Sequence, residues 1–291
     1  MESKKAIICW WSGGVTSAVA IWLAIQIYGK DRIRIIFIDT FNEHHDTYRF
    51  KIDCENWYEI KIETITAIGG EYKKIQDVWF KYLSLNVATG AVCSSELKRR
   101  VREKWQEENP KYTHQVFGFD ISETKRAISL SENHPKTKAI YPLLMFAFSK
   151  KKCIEELQYN FISIPVMYWL GFLNNNCFGT GCVQGGIGYW QKMFKDFRFK
   201  FLRMAIIEHQ LTNLLGRPVT MLKDQSKEAK KSGNELVFLI KHPNYPELKC
   251  LADFKQQEVK PLFECNGFCG TNDLSPRTKT EQEINYDNQS V

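Results

Sequence analysis

A glycine-rich loop between two apolar segments constrains this chain most. Residues 6–11 (AIICWW) predict a buried strand, residues 12–17 read SGGVTS, and an apolar helix-like stretch continues to Tyr28. A strand, a Ser-Gly-Gly turn and a helix can bind phosphate, because glycines let backbone N–H groups approach an anion and a helix N-terminus adds partial positive charge. An ordinary turn after a strand is the alternative. The candidate phosphate-binding residues are Ser12, Gly13, Gly14, Thr16 and Ser17.

Strand-like and helix-like segments alternate through the first half of the chain. The predicted strands are residues 6–11, 33–38, 63–68, 114–119 and 139–141, and later predicted helices cover residues 46–57, 71–85, 94–108 and 189–215. This alternation predicts an α/β fold with a mostly parallel five-stranded sheet covered on both faces. In such sheets ligands bind at the carboxyl ends of the strands. From about Lys150 the pattern changes to helices and loops.

The charge, the apolar runs and the cysteine content limit the class of protein to which this chain can belong. The chain has 291 residues and a net charge of +7, which suits an anionic substrate such as a nucleotide and would tolerate nucleic acid. Its apolar runs are too short for a signal peptide or a membrane span, so we expect a cytoplasmic protein without a membrane partner. Nine cysteines in such a chain favour thiols, a metal site or catalysis over a disulfide framework. We expect domains at residues 1–148 and 149–270 and a disordered tail at 271–291.

Four ordered segments carry a family resemblance. The loop at residues 12–17 looks like the PP-loop, SGGxxS, and no Gly-Lys-Ser/Thr ends it as in a Walker loop. Residues 39–50 (DTFNEHHDTYRF) are similar to the segment after the second strand of phosphosulfate reductases, with Phe41 in place of a glycine. Residues 91–98 (AVCSSELK) resemble the Cys-x4-Lys element, and residues 118–127 (GFDISETKRA) resemble a glycine followed by Glu-x2-Arg-Ala. The chain is thereby identified as a stand-alone, phage-type member of the phosphoadenosine phosphosulfate (PAPS) reductase family.

The resemblance implies a fold, two cofactors and several site residues. The fold would be the Rossmann-like sheet of the adenine nucleotide alpha hydrolase-like superfamily, with a helical, cysteine-bearing C-terminal part. The cofactors would be ATP and Mg²⁺. Asp39 and Thr40 would lie at the nucleotide, with Asp39 holding Mg²⁺ or a ribose hydroxyl, and Gly118 would end a strand beside it. Lys98 and Arg126 would neutralise phosphate charge.

Four of the nine cysteines form two pairs that together can make one site. Residues 174–183 (NNNCFGTGCV) resemble an Asn-Cys…Gly-Cys-Val block, preceded by a Pro-x2-Tyr segment, and residues 264–270 (ECNGFCG) supply a second pair. Four thiolates on glycine-bearing loops suit Zn²⁺ or, slightly better at these spacings, an iron–sulfur cluster. The expected ligands are Cys177, Cys182, Cys265 and Cys269, and Cys93 can replace one of them.

Two family activities and one binding role stay open. The first is cleavage of ATP between its α and β phosphates, which adenylates an acceptor and can serve sulfur transfer. The second is reduction of a sulfonucleotide to sulfite, for which Cys265 would be the nucleophile, but Phe119-Asp120 stand where reductases carry an Arg pair. The third is a nucleotide-binding module of a multi-protein system. The expected partners are an adenine nucleotide and a sulfur donor or acceptor protein.

Two further features have competing interpretations. Aromatic and basic residues alternate over residues 189–203, which fits either a nucleic-acid surface or, better, a core face with a solvated basic face. His44 and His45 are adjacent, so we expect surface residues rather than catalytic groups.

Overall fold

A computed structural model describes residues 6–87, 90–175 and 177–262 of the protein. The strands of these residues are β1 (Ala6–Trp11), β2 (Ile33–Ile38), β3 (Ile62–Ile65), β4 (Asn86–Val87), β5 (Gly90–Ala91), β6 (Tyr112–Val116), β7 (Ala139–Ile140), β8 (Leu222–Lys223), β9 (Leu236–Phe238) and β10 (Lys249–Cys250).

Helices connect the strands and dominate the second half of the chain. They are α1 (Val15–Tyr28), α2 (Asp46–Tyr58), α3 (Ile75–Tyr82), α4 (Val92–Ser94), α5 (Arg100–Glu108), α6 (Thr124–Asn133), α7 (Pro142–Met145), α8 (Lys150–Tyr159), α9 (Val166–Trp169), α10 (Ile187–Asp196), α11 (Arg198–Leu215) and α12 (Lys227–Ser232). A π-helical turn, Ser95–Arg99, joins α4 to α5.

The main sheet has five strands in the order β3-β2-β1-β6-β7, all parallel. The sequence-based prediction of a parallel five-stranded α/β sheet is confirmed. The chain moves outward from β1 through β2 to β3 and then crosses to β6 on the other side. This reversal opens a crevice between the carboxyl ends of β1 and β6, where such sheets bind ligands.

The apolar run of β1 is continuous because both faces of the strand are covered. Ile7, Cys9 and Trp11 belong to one buried cluster with α1, α2 and α8, whereas Ile8 and Trp10 belong to another with α5 and α6. Successive side chains of a strand point to opposite faces, so a central parallel strand needs apolar residues at every position. Burial of both faces fixes the position of the loop that follows β1.

The C-terminal half builds a further core around α10 and α11. Trp190 and Phe201 are fully buried there, together with Trp79 of α3 and residues of β8 and β9. The expected helical C-terminal part is present. The small sheet β10-β9-β8 was not predicted, because strands of two or three residues are too short to show an alternating pattern.

Several predicted boundaries were wrong. The helix expected at residues 189–215 is two helices, because Phe197 leaves helical geometry with φ −136° and ψ 52°. The centre of its ring lies 5.0 Å from the centre of the Phe178 ring. Because Phe197 packs against another aromatic residue, the helical spacing of apolar residues in the sequence does not reveal the break. The helical segment expected to start at Ser94 or Ser95 begins at Val92 and contains the π-helical turn. The helix expected at 71–85 is confined to α3.

A helix with the length and apolar character needed to cross a bilayer does not occur in the described residues.

Candidate functional site

The SGGVTS loop lies at the carboxyl end of β1, beside the crevice. Gly13 has φ +83°, and Gly14 is extended (φ −89°, ψ 158°) as the N-cap of α1. A Cβ atom on Gly13 would lie 3.0 Å from Thr47 Cγ2 and 3.3 Å from Asn175 Nδ2. Glycine is therefore required at residue 13 by its backbone conformation and by its neighbours. The strand, loop and helix predicted from the sequence are all present.

Serine side chains hold the loop in its shape. The Ser17 hydroxyl accepts hydrogen bonds from the Ser12 backbone N–H (3.2 Å) and the Ser12 hydroxyl (2.9 Å). It donates to the Gly14 carbonyl oxygen at 2.9 Å. Thr16 is fully buried. Ser17 thus closes the loop internally, and the backbone N–H groups at the start of α1 are the donors suited to an anion.

Gly118 follows β6 and packs directly against the same loop. A Cβ atom there would lie 2.7 Å from both the backbone nitrogen and the Cα of Ser17. Backbone this close leaves no room for a side chain. Gly118 therefore allows the end of β6 to lie directly against the start of α1.

Asp39 follows β2 at the same edge of the sheet. Trp11 pairs with Phe37 at the end of the parallel register, so Asp39 and the SGGVTS loop leave neighbouring strands at the same edge. The Asp39 carboxylate is buried and accepts hydrogen bonds from the Phe41 backbone N–H (2.7 Å) and the Tyr48 hydroxyl (2.9 Å). Burial, and then the charge of Glu43, raises the pKa of Asp39 to about 6.

Glu43 is the main site residue that the sequence analysis missed. Its side chain is 3% exposed and lies 3.3 Å from Lys98 Nζ, whose side chain is 7% exposed. The Thr40 hydroxyl (3.0 Å) and the Asn42 backbone N–H (3.1 Å) donate to the same carboxylate. Burial would raise the pKa of Glu43, but the charge of Lys98 and these hydrogen bonds outweigh it and lower the pKa.

Glu43 contacts two residues that were predicted to belong to the site, Lys98 and Thr40. Lys98 is in the π-helical turn, and Glu43 fixes its ammonium group beside the segment that follows β2. The hydroxyl of Thr40, which is predicted to lie at the nucleotide, donates to the Glu43 carboxylate. Nothing in the sequence indicates that residues 43 and 98 pair, because they come from different crossovers of the sheet.

Loops from the C-terminal half contact the SGGVTS loop. Asn175 Nδ2 donates to the Gly13 carbonyl oxygen at 2.8 Å and to the Thr47 hydroxyl at 3.0 Å. The Tyr168 hydroxyl accepts a hydrogen bond from the Val15 backbone N–H at 3.3 Å. Tyr168 therefore contacts one of the N–H groups suited to an anion, at the Pro-x2-Tyr segment that the sequence analysis noted without assigning it a role.

The loop after β6 carries the residues that stand where reductases have an Arg pair. Phe119 is buried, and the Asp120 carboxylate accepts hydrogen bonds from the Ser122 backbone N–H (2.8 Å) and the Lys150 backbone N–H (3.0 Å). Asp120 thus ties this loop to the start of α8. Arg126 pairs with the Glu123 carboxylate, and its guanidinium carbon lies 4.5 Å from the centre of the Phe119 ring.

The described cysteines form no disulfide with one another; they are Cys9, Cys54, Cys93, Cys153, Cys177, Cys182 and Cys250. Cys177 and Cys182 are half-buried, and the Cys182 backbone N–H donates to the Tyr189 hydroxyl at 3.0 Å. Cys93 is buried within α4. Cys265 and Cys269 lie outside the described residues. Within the described ranges, no three histidine, cysteine or carboxylate side chains gather closely enough to hold a metal ion.

One family model matches the part of the chain that carries the SGGVTS loop and Asp39. Residues 6–89 match the family model of the phosphoadenosine phosphosulfate reductase domain. No curated protein matches the chain.

Two solved structures are similar to the chain at low identity. A phosphoadenylyl-sulfate (PAPS) reductase from Candida auris in a phosphate complex is 15% identical, with a TM-score of 0.44, over 59% of this chain and 81% of that one. An NH3-dependent NAD synthetase from Campylobacter jejuni subsp. jejuni NCTC 11168 in complex with nitrate is 14% identical, with a TM-score of 0.38, over 73% and 84% of the two chains. The family-model match covers β1 through β4, including the SGGVTS loop and Asp39, so this segment of the chain is similar to the phosphoadenosine phosphosulfate reductase domain.

Proposed function

We propose that the protein is a PP-loop enzyme that binds ATP with Mg²⁺ and cleaves it between the α and β phosphates to adenylate an acceptor. The observation that supports this most is the buried set of Asp39, Glu43 and Lys98 at the strand edge that carries the SGGVTS loop. An acceptor nucleophile would attack the α phosphorus, the bond from that phosphorus to the bridging oxygen would break, and pyrophosphate would leave.

Each part of the site has a task in this reaction. Backbone N–H groups at the start of α1 would hold phosphate oxygens, since the helix N-terminus favours negative charge. Lys98, fixed by Glu43, would balance the charge that develops on the leaving pyrophosphate. A group held in place before the reaction stabilises this charge without having to reorganise.

Asp39 and Glu43 fit a magnesium ion. Two buried carboxylates lie near one another, and burial, followed by the charge of Glu43, raises the pKa of Asp39 to about 6. A cation bound there would favour the ionised form of both carboxylates. Mg²⁺ is commonly held by one or two carboxylates, with phosphate oxygens and waters as the other ligands, so the protein needs to supply no third one. Bound there, Mg²⁺ would polarise the phosphates and neutralise part of their charge.

Sulfonucleotide reduction is the second candidate, because the matched family model is that of a PAPS reductase domain. The position expected to hold cations for the sulfate carries Phe119 and Asp120, and Asp120 is committed to Ser122 and Lys150. An aromatic ring and an engaged carboxylate thus stand where reductases carry two arginines, and the nearby Arg126 is paired with Glu123, which supports ATP as the substrate over a sulfonucleotide.

ATP labelled in its α phosphate tests the proposal. With Mg²⁺ and a panel of acceptors, labelled AMP or a labelled acceptor should appear together with pyrophosphate. Asp39→Asn should slow this by about a hundredfold or more while weakening nucleotide binding much less. Asp31→Asn is the matched control, because Asp31 is exposed and precedes β2 at the opposite edge of the sheet.

Two results would contradict the proposal. The first is sulfite formed from a sulfonucleotide and thioredoxin, dependent on Cys265, with no AMP formed from ATP. The second is nucleotide binding without turnover for any acceptor, which would favour a binding module.

A further inference from the structure

The hydroxyl group of Tyr168 lies at the start of α1, where phosphate oxygens would bind in the proposed function. It accepts a hydrogen bond from the Val15 backbone N–H at 3.3 Å. Val15 is the first residue of α1, and the first N–H groups of a helix have no partner within the helix. The Tyr168 oxygen is therefore an acceptor at a place that suits an oxygen of a bound anion.

The local sequence does not cap the N-terminus of α1. The N-cap residue is Gly14, which makes no side-chain hydrogen bond, and the first turn contains no acidic residue. Val15, Thr16 and Ser17 are nevertheless buried. Buried N–H groups need acceptors, because an unpaired one costs free energy comparable to a lost hydrogen bond. Acceptors for this helix end must come from distant segments or from a ligand, and Tyr168 supplies one from the C-terminal half.

Charged side chains of α2 hold the segment that carries Tyr168. The Asp46 carboxylate accepts a hydrogen bond from the Val166 backbone N–H at 2.8 Å. Arg49 donates to the Ser163 carbonyl oxygen at 2.9 Å and to both Asp46 carboxylate oxygens at 2.7 and 2.8 Å. The Tyr168 hydroxyl is therefore positioned by contacts within the protein that do not depend on a ligand.

A buried histidine contributes to the same attachment. His44 is 8% exposed, so the expectation that both adjacent histidines lie at the surface is wrong for His44, whereas His45 is exposed. The Asp46 backbone N–H donates to His44 Nδ1 at 3.1 Å, which fixes the first residue of α2. Because Asp46 also binds Val166, His44 helps to place Tyr168.

We propose that Tyr168 is a phosphate-binding residue of this site, an inference that rests on the proposed binding of a nucleotide by the SGGVTS loop. When the nucleotide binds, a phosphate oxygen replaces the hydroxyl as the acceptor of the Val15 N–H, and the hydroxyl donates a hydrogen bond to that phosphate group. A tyrosine hydroxyl suits both states because it is an acceptor and a donor. A carboxylate at residue 168 would accept the N–H equally well but would repel the phosphate.

The second side chain that contacts the loop has a different task. Asn175 Nδ2 donates to the Gly13 carbonyl oxygen at 2.8 Å, so Asn175 contacts an acceptor of the loop. Tyr168 contacts a donor. An anion is attracted to N–H groups at a helix N-terminus and repelled by carbonyl oxygens. Tyr168 therefore lies on the side of the loop that suits phosphate, whereas Asn175 positions the loop.

Calorimetric titration of the full chain with inorganic pyrophosphate and with the non-cleavable analogue α,β-methylene ATP tests the proposal. Tyr168→Phe keeps the ring that packs against the buried cluster around α1 and removes only the hydroxyl. It should weaken the binding of both ligands by about tenfold or more, because a charge-assisted hydrogen bond is lost. Tyr159→Phe is the matched control, since Tyr159 is exposed at the end of α8, and it should bind both ligands like the natural protein.

NMR of the Val15 backbone N–H separates a lost phosphate contact from a disturbed loop. In the natural protein this signal should shift with a saturable dependence on pyrophosphate, and sodium chloride at equal ionic strength should not reproduce the shift. In Tyr168→Phe the same shift should occur at about tenfold higher pyrophosphate concentration, because the N–H still binds the phosphate. The measurement on the natural protein tests the proposal even if the variant does not fold.

Four results would overturn the proposal. They are equal affinity of Tyr168→Phe and the natural protein for both ligands, tighter binding by the variant, weaker binding of the nucleotide analogue alone, and a Val15 signal that does not respond to pyrophosphate. Tighter binding would mean that the hydroxyl only competes with phosphate, and an effect on the analogue alone would place Tyr168 at the base or ribose. ATP that binds without being cleaved would contradict the proposed function and leave the role of Tyr168 intact, because this test measures binding.

Discussion

Residue 13 must be glycine for two reasons, its positive φ and its close neighbours, and a comparison with Gly29 separates them. Gly13 and Gly29 both have a positive φ, of +83° and +81°. A Cβ atom on Gly13 would press on Thr47 and Asn175, whereas nothing lies within 4 Å of a Cβ atom on Gly29. Alanine at either residue costs the strain of a positive φ, about 1–3 kcal/mol, but only at Gly13 does it disturb the loop.

We therefore expect Gly13→Ala to weaken ATP binding at least about tenfold, because small displacements of the loop misplace its N–H donors. Gly29→Ala should lower the free energy of unfolding by a similar amount while leaving ATP affinity unchanged. Calorimetric titration and chemical denaturation measure the two quantities. Equal ATP affinity in the two variants would show that the loop does not bind the nucleotide.

Site features formed by residues close in sequence could be predicted, whereas contacts between residues far apart in sequence could not. The loop at residues 12–17 and the position of Asp39 follow from local signals, since a strand ends and glycines or a carboxylate follow. Glu43 was missed because its partner, Lys98, is supplied by another crossover. The sequence gives no register between such segments. The catalytic roles of Asp39, Lys98 and Arg126 stay predictions.

At the scale of elements, one buried carboxyl group joins a helix to the small sheet. Glu208 of α11 is fully buried and accepts hydrogen bonds from the Met221 N–H (2.6 Å) and the Leu239 N–H (2.7 Å). Met221 precedes β8 and Leu239 follows β9, so a single side chain satisfies a donor beside each strand. Burial raises the pKa of Glu208 to about 8, although both hydrogen bonds oppose this rise.

This shift makes the stability of the fold depend on pH. The pKa of Glu208 is 4.5 without its environment and about 8 in the folded protein, so the protonated group stabilises the fold fully below pH 4.5. That contribution is lost as the pH rises through 8, at up to about 1.4 kcal/mol per pH unit. Denaturation from pH 5 to 9 should show this decline in the natural protein and a flatter curve in Glu208→Gln.

Glu247→Gln provides the control for this measurement, because Glu247 is exposed and lies next to β10. Its curve should run parallel to that of the natural protein. A Glu208→Gln protein with the same pH dependence as the natural one would show that Glu208 does not titrate in this range.

At the scale of the whole molecule, the end of the described chain returns to the loop beside the SGGVTS loop. Gln191 Nε2 of α10 donates to the Lys255 carbonyl oxygen at 3.0 Å, and its side-chain oxygen accepts from the Gln257 N–H at 2.8 Å. The Leu262 N–H then donates to Asn174 Oδ1 at 2.8 Å. The chain therefore reaches the loop that carries Cys177 immediately before the residues that hold Cys265.

Chain length supports the shared cysteine site proposed from the sequence. Cys265 follows Leu262 by three residues, as Cys177 follows Asn174, and three extended residues span at most about 11 Å. The contact between Leu262 and Asn174 is thus compatible with a site shared by the two cysteine pairs. We expect the protein, purified without oxygen, to contain one Zn²⁺ or one iron–sulfur cluster per chain, since soft thiolates select these metals.

Metal analysis and visible spectroscopy test this expectation. Cys177→Ser and Cys265→Ser should each lose most of the metal, because a tetrahedral site with three of its four thiolates binds far more weakly and exposes the metal to solvent. Cys250→Ala, in the small sheet, should keep it. A metal content that is zero in the natural protein, or unchanged in Cys177→Ser, would exclude the four-cysteine site.

The two cysteine pairs lie about 80 residues apart in sequence. A metal that both pairs bind would therefore link residues beyond Leu262 to the loop that contacts Gly13. Loss of this metal should for that reason also weaken ATP binding.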